Sequence, residues 1–207
     1  MPIINKLTDN ETVMGVWRMT EHLQELERQY EVPAEEKQTY AGFRNDRRRK
    51  EWLTVRILLR EIAGPDVHIA YQPSGKPFLI GSDLFISITH TIGYVGIRLG
   101  KQPVALDMEY LSRRVVSLIP RFVSPEEMQY IDPDNEIRTA LIIWSAKETL
   151  YKRFDFTDIE FDQHLSVHNL RASQPTGSFL GRISKDGFHA EVTLHYILTD
   201  DLITVFC

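Results

Sequence analysis

Apolar positions recur every three or four residues over two long stretches, and this spacing predicts the chain's two principal helices. The first runs from about Asp46 to Ala63, with Trp52, Val55, Leu59 and Ile62 on one side and Gly64-Pro65 as the stop. The second runs from about Glu136 to Phe154, with Ile137, Ala140, Leu141 and Trp144 as its stripe. A further amphipathic stretch covers Met19 to Tyr30. Pro33-Ala34-Glu35-Glu36 reads as a helix start, since proline suits the first turn and acids suit the positive end of the dipole. Short apolar runs parted by turn residues predict strands at Val67–Tyr71, Phe78–Ile80, Leu84–Thr89, Tyr94–Leu99 and Val104–Met108. Helices follow at about Arg113–Phe122 and from Ser124-Pro125, and three or four strands fill the chain from Phe161 onward. Helices followed by short strands, twice over, make an α+β pattern rather than a βαβ alternation. Gly100-Lys101-Gln102-Pro103 is the candidate seam, dividing the chain into residues 1–101 and 102–207.

Composition narrows the function classes. Of 207 residues, 43% are apolar and 26% charged, which is ordinary globular usage. The longest apolar run, Ala140–Trp144, is too short to cross a bilayer, so no membrane role is expected. The opening Met1-Pro2-Ile3-Ile4-Asn5-Lys6 lacks the pattern of a secretory leader. With Cys207 the single cysteine, neither a disulfide framework nor a cysteine-rich metal site can be built. A reduced, cytoplasmic protein is expected. A net charge of −5 argues against a general nucleic-acid binder. The positive residues cluster, however: Arg44, Arg47, Arg48, Arg49 and Lys50 could hold phosphates locally or form a solvated helix start.

Two segments carry candidate chemistry. In the strand Val104–Glu109, alternation puts Val104, Leu106 and Met108 on one face as core and Asp107 and Glu109 on the other. Two carboxylates about 7 Å apart along a strand repel unless a cation or a proton relieves them. Such hard oxygens suit Mg²⁺, although a solvent-facing strand edge is the alternative. In the second long helix the apolar stripe turns charged, continuing onto Lys147, Glu148, Tyr151 and Lys152. Either Glu148 and Lys152 form an exposed i,i+4 pair, or Glu148 is a third carboxylate facing the strand pair, with Lys147 and Lys152 meeting phosphate. Ser74-Gly75-Lys76-Pro77 offers a lysine in a turn, and Ile86-Ser87-Ile88-Thr89-His90 ends a strand with hydroxyls and an imidazole. A zinc site using His164, His168 and His189 or His195 fits poorly, because that stretch reads as strand and loop without a completing ligand.

These residues resemble the 4′-phosphopantetheinyl transferase family, in its larger surfactin-synthetase type. The resemblance rests on Ala105-Leu106-Asp107-Met108-Glu109, on Trp144-Ser145-Ala146-Lys147-Glu148-Thr149-Leu150-Tyr151-Lys152, and on Gly75-Lys76-Pro77 and Ile86–His90 upstream. The four motifs, in the family's order, cover roughly residues 43 to 155. Ala105 stands where glycine is usual and Thr89 where serine is usual. The resemblance implies two similar halves related by a pseudo-twofold, each with helices on a small, mostly antiparallel sheet, working as a monomer. It implies coenzyme A as donor, Mg²⁺ held by Asp107, Glu109 and Glu148, and an acyl or peptidyl carrier protein as acceptor. Glu148 would serve as base and Lys152 would lie against the pyrophosphate. Arg44, Arg47, Lys76, Thr89, His90 and Lys147 would complete the donor contacts. A non-catalytic homologue that binds coenzyme A or a nucleotide is the competing reading; it would not need the carboxylate trio. Arg113, Arg114 and Arg121 are candidates for docking an acidic carrier.

Overall fold

The computed structural model describes residues 3–8 and 11–207, and for residues 3–5 the backbone only. Met1 and Pro2, where the segment read as lacking a leader begins, lie outside the described residues. The chain divides into two compact units between Pro103 and Val104.

The first unit holds strands β1 (Ile3–Thr8) and β2 (Thr12–Arg18), then helices α1 (Leu23–Gln29), α2 (Lys37–Gly42) and α3 (Asp46–Ala63). Strands β3 (His68–Tyr71), β4 (Pro77–Ile80), β5 (Phe85–Thr91) and β6 (Tyr94–Gly100) follow. The antiparallel sheet runs β1-β2-β6-β5, and β3 pairs with β4 as a separate hairpin. α3 starts where the Asn45 side chain accepts the Arg47 N–H and stops at Gly64, whose φ of 95° suits glycine. It lies so close to β2 that a Cβ on Gly15 would meet Leu58 Cδ1 at 2.9 Å. Trp52, Leu53, Leu58 and Leu59 from α3 bury against Trp17, Val95, Ile97 and Leu99.

The second unit opens on β7 (Leu106–Tyr110), continues through 3₁₀ turns at Arg113–Arg121, Pro125–Tyr130 and Pro133–Asn135, and reaches α4 (Glu136–Phe154). It ends with α5 (Phe161–His164), β8 (Leu165–His168), β9 (Thr176–Lys185), β10 (Phe188–Leu198) and β11 (Leu202–Phe206). The sheet order is β7-β11-β10-β9-β8, antiparallel throughout.

The α+β expectation holds, with small antiparallel sheets. Both units are wired alike. β2–α3–β3–β4–β5–β6 and β7–α4–β8–β9–β10–β11 each run strand, long helix, four strands. The last strand in each returns antiparallel beside the first, and the helix packs on that pair.

Three local expectations need correction. The stretch Met19–Tyr30 is helical only over Leu23–Gln29, and β2 ends just before the stretch, at Arg18. Arg113–Phe122 winds as a 3₁₀ helix, because Pro120 brings no N–H and the paired β-branched Val115-Val116 resist the wider turn. β7 pairs with β11 so that Asp107 stands opposite Val205 and Glu109 opposite Ile203. Val205 and Ile203 belong to the unit's apolar core, so the acid-bearing face is not a solvent edge, while Leu106 and Met108 on the other face are buried as expected, at 0% and 1% exposed. Among the described residues no helix is long and apolar enough to cross a membrane.

Candidate active site

The acids of β7 are held by α4. Asp107, only 5% exposed, accepts a 2.7 Å hydrogen bond from Ser145 Oγ on one oxygen and a 2.7 Å ion pair from Lys152 Nζ on the other. Lys152 also donates to the Leu106 carbonyl at 3.1 Å, which ties the last turns of the helix to the strand. Glu109, half-buried, accepts from Trp144 Nε1 at 2.8 Å. Helical spacing explains the set: Trp144, Glu148 and Lys152 repeat every four residues and rise along one face. Ser145, fully buried, points at the same strand.

Electrostatics tie the trio together. Burial, and then the Asp107 charge, push Glu109 up to about 7, with Glu148 adding to the rise. Burial and Asp107 likewise push Glu148 up to about 7, and Lys152 pulls it back in part. Glu109 therefore feels both Asp107 and Glu148, Glu148 feels Asp107, and the ammonium beside them, Lys152, is already committed to Asp107. Among the described residues no side chain donates a hydrogen bond to the Glu148 carboxylate. Glu148 opens instead into a cavity of about 620 Å³ walled by Trp144, Tyr151 and Phe161, with Arg121 and Asp158–Asp162 at its edge.

A metal fits this donor set by its chemistry. Hard carboxylate oxygens that repel one another are relieved by a hard divalent cation. Among the described residues no group of three or more His, Cys, Asp or Glu side chains is arranged to hold a metal. Asp107 is turned toward Lys152 and Ser145, and Glu109 toward Trp144. The histidines of the zinc alternative are engaged locally: His164 with the Glu160 N–H, His168 with Ser166 and His189 with Ser184.

Lys147 also departs from expectation. In place of the expected phosphate contact, its side chain is 0% exposed, paired with Glu127 at 2.6 Å and donating to the Phe161 carbonyl at 2.8 Å. One residue before Glu148, it points roughly a quarter-turn away, into the unit's interior. In the first unit, Arg47 is spent on Glu51 of its own helix, at 2.8 Å. Arg48, read only as part of the basic cluster, pairs with His90 at 2.8 Å and with Glu51 at 3.3 Å. Thr89 is buried in β5, Lys76 sits in the turn between β3 and β4, and Arg44 is exposed just before α3. Arg48, Glu51, His90 and Gly75 share a cavity of about 190 Å³.

Sequence reasoning missed Ser145 and Glu127. Ser145 had one weak signal, a hydroxyl in the turn leading to Lys147-Glu148. Glu127 had a better one, because Ser124 and Glu127 form a capping box whose spacing is legible. A separate cavity of about 810 Å³ is lined by residues that include Leu111, Arg113, Val116, Ile137 and Arg138 and by none of the three carboxylates.

A family model described as the 4′-phosphopantetheinyl transferase superfamily matches residues 103–207, the whole of the unit that carries this site. Over 113 residues the chain is 26% identical to a 4′-phosphopantetheinyl transferase AcpT of Salmonella typhi, the match covering 51% of this chain and 59% of that protein. A 4′-phosphopantetheinyl transferase AcpT of Escherichia coli O157:H7 is likewise 26% identical over 113 residues, with 58% of its length covered. The chain thus matches somewhat over half the length of these relatives.

Proposed function

Because the chain belongs to the 4′-phosphopantetheinyl transferase superfamily, we propose that it moves the 4′-phosphopantetheine group of coenzyme A onto a serine hydroxyl of an acyl or peptidyl carrier protein, as a cytoplasmic monomer. We place it with the surfactin-synthetase type, on the two like-wired units in one chain.

The serine oxygen attacks the β-phosphorus of coenzyme A, the bond from that phosphorus to the bridging oxygen breaks, and 3′,5′-ADP leaves. The serine proton passes to Glu148, the carboxylate without a hydrogen-bond donor among the described residues. Lys152, fixed between Asp107 and the Leu106 carbonyl, presents positive charge to the diphosphate of coenzyme A and to the 5′-phosphate of the departing 3′,5′-ADP. Trp144 and Ser145 hold Glu109 and Asp107 in their orientations, which is the positioning that phosphoryl-type transfer depends on. Asp107, Glu109 and Glu148 would hold Mg²⁺, which when bound neutralises the diphosphate as a Lewis acid. In the first unit, His90, Lys76 and Arg44, with Arg48 added and Arg47 in its helix turn, would contact donor phosphates. Arg113, Arg114 and Arg121 offer positive charge to an acidic carrier.

The observation that carries this reading is the grip of α4 on β7. Lys152, Ser145 and Trp144 bind the two strand acids beside Glu148, within the segment that the family model matches. Incubating the protein with coenzyme A, Mg²⁺ and an apo carrier, then weighing the carrier, tests it. A mass gain of one phosphopantetheine is expected, lost on chelation and restored by Mg²⁺. Coenzyme A binding with no gain on any of several carriers would select the non-catalytic alternative.

A further inference from the structure

The catalytic scheme leaves one buried ion pair unused. Lys147 and Glu127 are 0% and 2% exposed and 2.6 Å apart. Such a pair is a poor device for stability, because well-packed apolar side chains of the same volume usually do as well or better. What it supplies is direction, and its bonds reach several segments. Glu127 accepts the Ser124 N–H at 2.9 Å and the Val167 N–H at 2.7 Å, joining the turn at Pro125–Tyr130 to β8. Lys147, on α4, donates to the Phe161 carbonyl at 2.8 Å.

From there the contacts lead to the candidate site. The Phe161 ring lies 5.4 Å from Trp144 and 6.1 Å from Tyr151, and all three wall the cavity into which Glu148 opens. Trp144 in turn holds Glu109. We infer that Glu127, acting through Lys147 and the Phe161 carbonyl, is a positioning residue: it fixes the wall of the Glu148 cavity and, through Trp144, the direction of Glu109. This rests on the proposed transferase activity for its catalytic consequence but not for its structural one.

The test replaces both charges by apolar groups of similar length in the full chain, as Glu127→Leu with Lys147→Met, beside each single change. The singles leave a charge buried alone and are expected to melt early. The double variant is expected to melt above either single but below the wild type, because the Ser124 and Val167 N–H groups and the Phe161 carbonyl lose their partners, while kcat falls by about 10- to 100-fold with KM for coenzyme A near the wild-type value. Hydrogen exchange at residues 158–163 is expected to speed up in the double variant, a readout that needs no activity. A stable double variant with wild-type kcat and unchanged exchange there would overturn the inference. If the wild-type protein transfers nothing, the transferase reading fails by itself, and the exchange measurement still decides whether the pair holds the wall. Should the double variant fail to refold, Glu127→Gln, which keeps the shape and one of the two acceptor oxygens while removing the charge, is measured in its place. Faster exchange at 158–163 then supports the inference, and unchanged exchange overturns it.

Discussion

The two units share a wiring and differ in the sign of what they build on it. On α3 the buried acid, Glu51, is answered from its own chain: Arg47 at 2.8 Å, Arg48 at 3.3 Å, and His90 Nδ1 at 3.7 Å. Two guanidinium groups flank one acid, and the excess is positive. On α4 the relation reverses. One ammonium, Lys152, stands among three carboxylates, and two of these are pushed up to about 7. The first arrangement suits an anion such as a phosphate, the second a cation brought from outside. A strand, a helix and a returning hairpin thus say little about function by themselves; the charges placed on the helix decide it.

The comparison breaks most directly at the second unit. Asp107→Ala and Glu148→Ala are each expected to lower kcat for phosphopantetheine transfer by about 10³-fold, as loss of a charge-positioning group does elsewhere. Circular dichroism should stay native in both. A double variant that still loads the carrier would sink the carboxylate assignment. The next effect is on stability without divalent cations. Glu109 and Glu148 hold their protons more tightly folded than at the ordinary carboxylate value of 4.5. Their stabilising contribution is therefore complete below pH 4.5 and is lost as pH rises through 7, amounting to roughly 1–3 kcal/mol, and less where water still reaches the groups. Thermal melts from pH 4.5 to 8 should show Glu148→Gln flattening this decline. Parallel curves for variant and wild type would contradict the coupling. Mg²⁺ should raise the wild-type melting temperature most at the upper end of this range.

Much of this was legible in the chain. Both long helices were marked by periodic apolar positions and by their stops, Gly64 in one case and the end of the stripe near Phe154 in the other. Asp107, Glu109 and Glu148 were legible because acids where the pattern calls for apolar residues need a reason. The direction in which β7 faces was not. Alternation says that Asp107 and Glu109 share a face, but only pairing with Ile203 and Val205, about 95 residues later, shows that this face is the core. Lys147 failed for a related reason. Its spacing along the stripe suggested the same surface as Glu148, but its true partner, Glu127, lies across a connection that local periodicity does not encode. Arg48 and His90 are 42 positions apart and carry no joint signal.

A smaller effect separates donor binding from chemistry. Arg48→Ala removes a guanidinium from the His90 cavity while Arg47 still answers Glu51. It should raise KM for coenzyme A about tenfold, the scale of one charge-assisted hydrogen bond, and leave kcat within twofold. An equal fall in kcat would mean that the first unit shares the chemistry, and the contrast of signs would lose its functional meaning.

The smallest effect comes from the caps of the two long helices. Asn45 caps α3 by accepting the Arg47 N–H at 2.7 Å, so its side chain holds the very turn that presents Arg47 and Arg48. Asn135, the matching residue before α4, makes no such cap and donates instead to Asp132 at 2.9 Å on the surface. Asn45→Ala should therefore cost about 1 kcal/mol of stability and raise KM for coenzyme A slightly, as the basic turn frays. Asn135→Ala should cost a few tenths of a kcal/mol at most and leave both constants unchanged, because α4 is fixed to β7 at Trp144, Ser145 and Lys152, well beyond that end. Denaturant melts and steady-state kinetics on the two variants measure the difference. If Asn135→Ala proves the more damaging, α4 is not held by the Asp107–Lys152 and Glu109–Trp144 contacts in the way its geometry indicates.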